Sequence, residues 1–270
     1  MDNLMIARVA KFSYLYRNHY MRILGSNIEL IRTHWWHAFR FLLMKLLNRG
    51  RNEIVSRRIR EMVEDTFDGI IDIASPDGIV RTGEKALSKA RLAFEEIQYD
   101  GKGYKSEADI QMIFGSKSSG EDSRQGILQF LMALPSGNIV QYSINQIQNH
   151  SIAGVYEQLC QFPGVGHIGA ATYLRDLVEL FYDELDEYTK TVDSQTYLVP
   201  VDACVRRVAK ESGIMFDCSS PLEQARTLAE ACREVSIVHK LPLNFSQGAV
   251  WLCDKTFESL MSMLKRELPG

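Results

Sequence analysis

Two short stretches carry residue types arranged as chemistry would need them. The first, FPGVGHIGA at 162–170, places a Pro-Gly pair and a second glycine between two helical patterns. Ile152, Val155 and Leu159 share one face upstream, and Ala170, Leu174 and Leu177 share one downstream. Glycines in so short a hairpin leave backbone N–H groups uncovered, beside a helix N-terminus whose dipole favours an anion. The amides of Gly164, Val165 and Gly166 are therefore candidates to hold a phosphate, although the turn alone fits an ordinary helix-helix corner equally well. The second stretch is VPVD at 199–202. Pro200 sets an extended approach, and Asp202 takes the cap position of a helix over 203–212 with Val205, Val208 and Ala209 facing inward. An N-cap aspartate is commonly structural. A carboxylate fixed there also suits stabilisation of positive charge on a neighbouring reacting carbon, or weak base work on a water.

In this order the two stretches resemble the signature of the helix-hairpin-helix (HhH-GPD) DNA glycosylase superfamily, to which endonuclease III and the 8-oxoguanine glycosylases belong. That pattern runs roughly LPGVGxKxA and then VDxHVxR; here it reads FPGVGHIGA and then VPVDACVRR. More weakly, NFSQGAVWLCDK at 244–255 is similar to the family's late helix beneath the active site, and HWWHAFRFLLMKLLNRGRNEIVSRRI at 34–59 to its early helix-loop-helix. The resemblance implies an all-α, two-lobed fold forming a single unit. In it 1–30 is an added N-terminal helix, 31–68 and 202–270 form one lobe, and 69–201 forms the other with the hairpin at 152–183. It also implies hydrolysis of an N-glycosidic bond on a flipped-out base. Asp202 is then the catalytic carboxylate, and a monovalent cation, K or Na, is shared by hairpin carbonyls.

The departures are informative. Bifunctional members attack the sugar with a lysine, and the matching position here is Ile168. Without that amine no Schiff base forms, so the implied activity is monofunctional, with no strand cleavage by β-elimination. Cys204 stands where the pattern has histidine, and the duplex-wedging position falls at Arg49 or Gly50. Arg49 and Arg51 flank a glycine in a loop that meets DNA in the family and are assigned phosphate or wedge contacts. His167, directly after the hairpin, is a further candidate phosphate contact or a solvated helix-start residue. Trp35, Trp36, Phe245, Gln247 and Trp251 are candidates to line a base pocket, although aromatics at such spacing more often belong to a core. A catalytically inactive homologue that binds DNA or a protein stays open, as does an enzyme acting on another N-glycoside.

The 270 residues are 46% hydrophobic, enough for a substantial core, and carry a net charge of −3. Any nucleic-acid surface must then come from local clusters. The five cysteines, at 160, 204, 218, 232 and 253, show no CxxC spacing. No iron-sulfur cluster, structural zinc or organic cofactor is expected, and the odd count without a secretory signal implies free thiols in a reducing compartment. Apolar runs such as 39–47 are too short to span a bilayer, so a cytoplasmic or nucleoid location is expected. DNA is the expected partner, in duplex or single-stranded form, with no membrane. Protein contacts are open through the N-terminal helix or the acidic insert 183–196.

Elsewhere helices are expected over 84–98, within SRQGILQFLMAL (123–134) and within PLEQARTLAEACREV (221–235), the last capped by Ser219 or Ser220. SPDG at 75–78 reads as a turn. GNIVQYSINQI at 137–147 alternates apolar and polar residues over a short span, and a small strand is expected there.

Overall fold

The computed structural model describes residues 2–25, 27–47, 53–97, 106–116 and 124–252. Among these the regular elements are helical and no strand is found. The chain opens with α1 (Asn3–Lys11), α2 (Ser13–Tyr16), a π-helical turn and α3 (Arg22–Gly25). There follow α4 (Ile28–Thr33), α5 (Trp35–Leu46), α6 (Glu53–Phe67), α7 (Glu84–Glu96), α8 (Glu107–Phe114), α9 (Ile127–Ala133), α10 (Ile139–Gln148) and α11 (Ile152–Gln161). The C-terminal half holds α12 (His167–Leu180), α13 (Tyr182–Leu185), α14 (Val192–Thr196), α15 (Ala203–Glu211), α16 (Pro221–Val235) and α17 (Leu241–Trp251).

The contacts divide the chain into two compact units, Asn27–Tyr173 and Met1–Ser26 with Leu174–Gly270. This differs from the division expected from the sequence, where 31–68 joined the C-terminal region. The reason lies in the partners: α5 packs on α4, α6 and α10, whereas α1 and α2 fill the place against α17.

In the first unit, Trp36, Phe39, Phe67, Phe94 and Phe114 form a chain of aromatic contacts, Phe39 and Phe67 stacking at 6.1 Å. Trp35 is fully buried and donates its indole N–H to the Asp72 carbonyl at 3.0 Å. The segment expected as a possible strand is α10. Asn138 caps it by accepting from the Gln141 amide at 2.9 Å, and donates to the Ile31 and Arg32 carbonyls at the end of α4. Ile139, Val140, Ser143, Ile144 and Ile147 then lie on one buried helical face. Their spacing satisfies period 3.6 across the whole segment, and alternation only locally.

His37, half-buried on α5, has its pKa lowered, first by burial and then by the neighbouring charges of His34 and Arg40, with Glu64 opposing. A depressed folded-state pKa means the unfolded chain binds the proton better. The contribution to stability is present above about pH 6.5, the ordinary imidazole value, and is lost as pH falls below it. Urea unfolding at about pH 7.5 and about pH 5.5 should show a drop in stability that is smaller in His37→Gln. An equal drop in both proteins would remove His37 as its source.

In the second unit α1 lies so close to α17 that a Cβ at Gly248 would sit 2.0 Å from the Val9 carbonyl oxygen. Met5, Ile6, Val9, Phe245, Ala249 and Leu252 share the core there, and α15 and α16 complete it. Gly248→Ala must push two backbones apart, an overpacking cost of about 3 kcal/mol, readable as a lowered urea midpoint. A loss below about 1 kcal/mol would show that the α1–α17 approach yields easily.

Candidate functional site

The hairpin belongs to the unit Asn27–Tyr173. α11 stops at Phe162, whose extended backbone suits the residue before a proline. Pro163 and Gly164 then form the centre of a type II turn, with φ of 70° at Gly164 and the Val165 amide donating to the Phe162 carbonyl at 3.0 Å. The Val165 amide, expected to face a phosphate, therefore closes the turn instead, because a turn of this type needs that bond. Among the described residues the Gly164 and Gly166 amides donate to no backbone carbonyl. A Cβ built at Gly166 would meet nothing within 4 Å, so the backbone there is open to an approaching group. The Gly166 carbonyl accepts from Ala170 and starts α12. One turn on, Gly169 lets α12 press on Leu46, with 3.1 Å from its would-be Cβ to that side chain.

His167 does not stand free at the helix start. Its ring is buried, and Nδ1 lies 3.2 Å from the Tyr156 hydroxyl. This contact ties α12 back to α11. Ile168, at the lysine position of bifunctional glycosylases, is 45% exposed. Trp35 and Trp36 are buried in the aromatic core of this unit. Arg49 and Arg51, like Gly50, lie outside the described residues.

Asp202 belongs to the other unit. Val199, Pro200 and Val201 are buried, and the chain turns into α15 with Asp202 as N-cap. Its Oδ1 accepts from the Val205 amide at 2.8 Å, and Val205, Val208 and Ala209 face the core. Asp202 itself is half-buried. Cys204, in the first turn of α15, is disulfide-bonded, which corrects the expectation of free thiols; its partner lies outside the described residues. Cys160, Cys218 and Cys232 are free.

A buried polar cluster in this unit was not expected. Arg175 on α12 is 1% exposed, and its Nε donates to Asp176 Oδ1 at 2.9 Å. Its remaining nitrogens reach the Tyr16 hydroxyl and, at 3.4 Å, Ser246 Oγ. Tyr16 donates to Asp176 Oδ2 at 2.7 Å, with the guanidinium over its ring. Burial disfavours the charge on Arg175, but Asp176, Tyr16 and Asp202 outweigh it and hold the group protonated. The sequence signal was the Arg-Asp pair inside the largely apolar run AATYLRDLV.

Directly after Ser246 on α17, Gln247 is fully buried, and among the described residues neither its Oε1 nor its Nε2 has a hydrogen-bond partner. Phe245 is core, and Trp251 is half-buried beside His19. The acidic insert 183–196 folds into α13, a 3-10 turn and α14, with Leu185, Thr189 and 194–196 buried. Among the described residues no group of three or more His, Cys, Asp or Glu side chains is placed to hold a metal. No described helix is long and apolar enough to cross a membrane.

Compared with known proteins, the chain matches no family model, no curated protein and no solved structure.

Proposed function

We propose that the chain is a monofunctional DNA glycosylase of the HhH-GPD type. The observation that carries this reading is Asp202. It is a half-buried carboxylate fixed by its own helix cap, in a chain that also presents a Pro-Gly hairpin with an open backbone at Gly166.

In this reading a base is flipped out of the stack at a cost of a few kcal/mol. The Gly164 and Gly166 amides and the N-terminus of α12 hold a backbone phosphate, a contact that reads no sequence. Positive charge grows on the sugar as the N-glycosidic bond breaks, and Asp202 stabilises it while orienting a water. Gln247 supplies what a buried pocket needs to read a base edge, an amide donor and acceptor with no internal partner. Ile168 offers no amine, so the reaction stops at an abasic site.

A second reading, a homologue without activity that serves as a DNA-binding or protein-interaction module, is favoured by Ile168 standing at the lysine position. Incubation with abasic-site DNA and borohydride should trap no covalent adduct, and breaks at processed sites should need alkali. A trapped adduct would overturn the monofunctional assignment.

A further inference from the structure

The unit that holds Asp202 has a cleft the glycosylase reading does not use. It lies where the end of α16, the connection over 236–240 and the start of α17 meet Lys190 and α14, and encloses about 190 Å³. We propose that this cleft binds a small molecule through a phosphate group.

The lining supplies cations and hydrogen-bond donors and includes no carboxylate. Arg233, in the last turn of α16, is exposed and makes no ion pair among the described residues. Its planar fork is suited to two phosphate oxygens at once. Lys190 lines the same wall. Its carboxylate partners, Glu187 at 2.6 Å and Asp186 at 3.4 Å, are not part of the lining. Asp186 also accepts from His239 Nε2, and Tyr182 meets that same nitrogen. The imidazole is thereby held in place on the cleft wall.

Ser236 accepts from the Val238 amide through Oγ, which leaves its hydroxyl hydrogen to donate. Gln195, buried, bonds the His239 carbonyl and pins the connection from below. The rim is apolar: Ile237 is 96% exposed, Val238 is 53% exposed, and Pro242 closes the side.

Charge and size together set the ligand class. The free guanidinium, the lysine and the hydroxyl suit a phosphate. The volume is below the roughly 300 Å³ at which drug-sized pockets begin, so the organic part is small. Because Lys190 is already paired, Arg233 provides most of the net attraction, and binding in the millimolar range is expected, about −4 kcal/mol.

The test does not depend on glycosylase activity. Amide NMR spectra of the full chain are followed during titration with sodium phosphate and, separately, glycerol phosphate, with chloride holding ionic strength constant. Saturable shifts are expected at Lys190, Gln195, Arg233, Ser236 and His239. Loss of a charge-assisted bidentate contact should weaken both ligands about tenfold or more in Arg233→Gln, a surface change that leaves the core intact. Arg226→Gln, on the same helix but paired with Asp193 at 2.7 Å, should bind as wild type. Absence of saturation by about 50 mM, or unchanged affinity in Arg233→Gln, would overturn the site. Glycerol phosphate that binds about tenfold more weakly than inorganic phosphate would overturn the organic part of the ligand.

Discussion

Asp202→Asn is expected to abolish base release, lowering the rate by about 10² to 10³-fold, the loss typical of removing one preorganised electrostatic group. The variant keeps the shape of the side chain, and its amide oxygen can still accept from the Val205 amide, so the cap on α15 persists. Stability should fall by no more than about 1 kcal/mol. The separation of the two readouts is the point: a fold that stands with chemistry that stops places the carboxylate in the reaction. If Asp202→Asn releases bases at the wild-type rate, Asp202 is a cap and nothing more. DNA binding should be nearly unchanged, because the hairpin amides proposed to hold phosphate are not altered.

Arg175→Met is expected to be the most destabilising single change outside the glycine contacts, at about 3–5 kcal/mol. Asp176 is fully buried, and the guanidinium is its ionic partner at 2.9 Å. Removing the cation leaves a buried carboxylate without its ionic partner, while the Tyr16 hydroxyl still donates to it. The penalty comes from the stranded charge, so Asp176→Leu added to Arg175→Met should recover part of it. Urea midpoints of the two variants measure this directly. A double variant no better than Arg175→Met would show that the cost lies in lost packing, and a single variant within about 1 kcal/mol of wild type would show that water reaches the site. The same cluster explains the burial of Tyr16: α2 brings its hydroxyl to Asp176, and so anchors the N-terminal segment against its own unit.

What the sequence could show follows from the range of each interaction. The cap at Asp202 and the turn at Pro163-Gly164 are local, since backbone restrictions act within a few residues, and both stand in the structure as expected. The all-helical class was legible from periodicity for the same reason. The segment over 137–147 was ambiguous because its alternation and its helical period overlap. Asn138 decides it by joining a cap to two carbonyls of α4, a contact across more than a hundred residues. The division into units depends on α1 and α2 meeting α17, which no local pattern encodes.

The Arg175–Asp176 pair lay in view but was passed over. A charged pair on a helix is usually a solvated face, and its burial is completed by Tyr16 and Ser246 from the two ends of the chain. Val165 was assigned to phosphate because glycine-flanked amides invite that role, yet the type II turn takes its N–H first. Gln247 was legible as a pocket candidate only through the resemblance; its lack of partners is a property of the packed structure.

The most direct test of the central claim is base release by the wild-type chain from duplex and single-stranded oligonucleotides carrying a panel of damaged and modified bases, with products read before and after alkali. The account predicts that at least one base is released and that the strand breaks only after alkali. Salt-dependent DNA binding with no base released from any substrate would contradict it, and would leave the hairpin as a binding device on a chain without glycosylase chemistry.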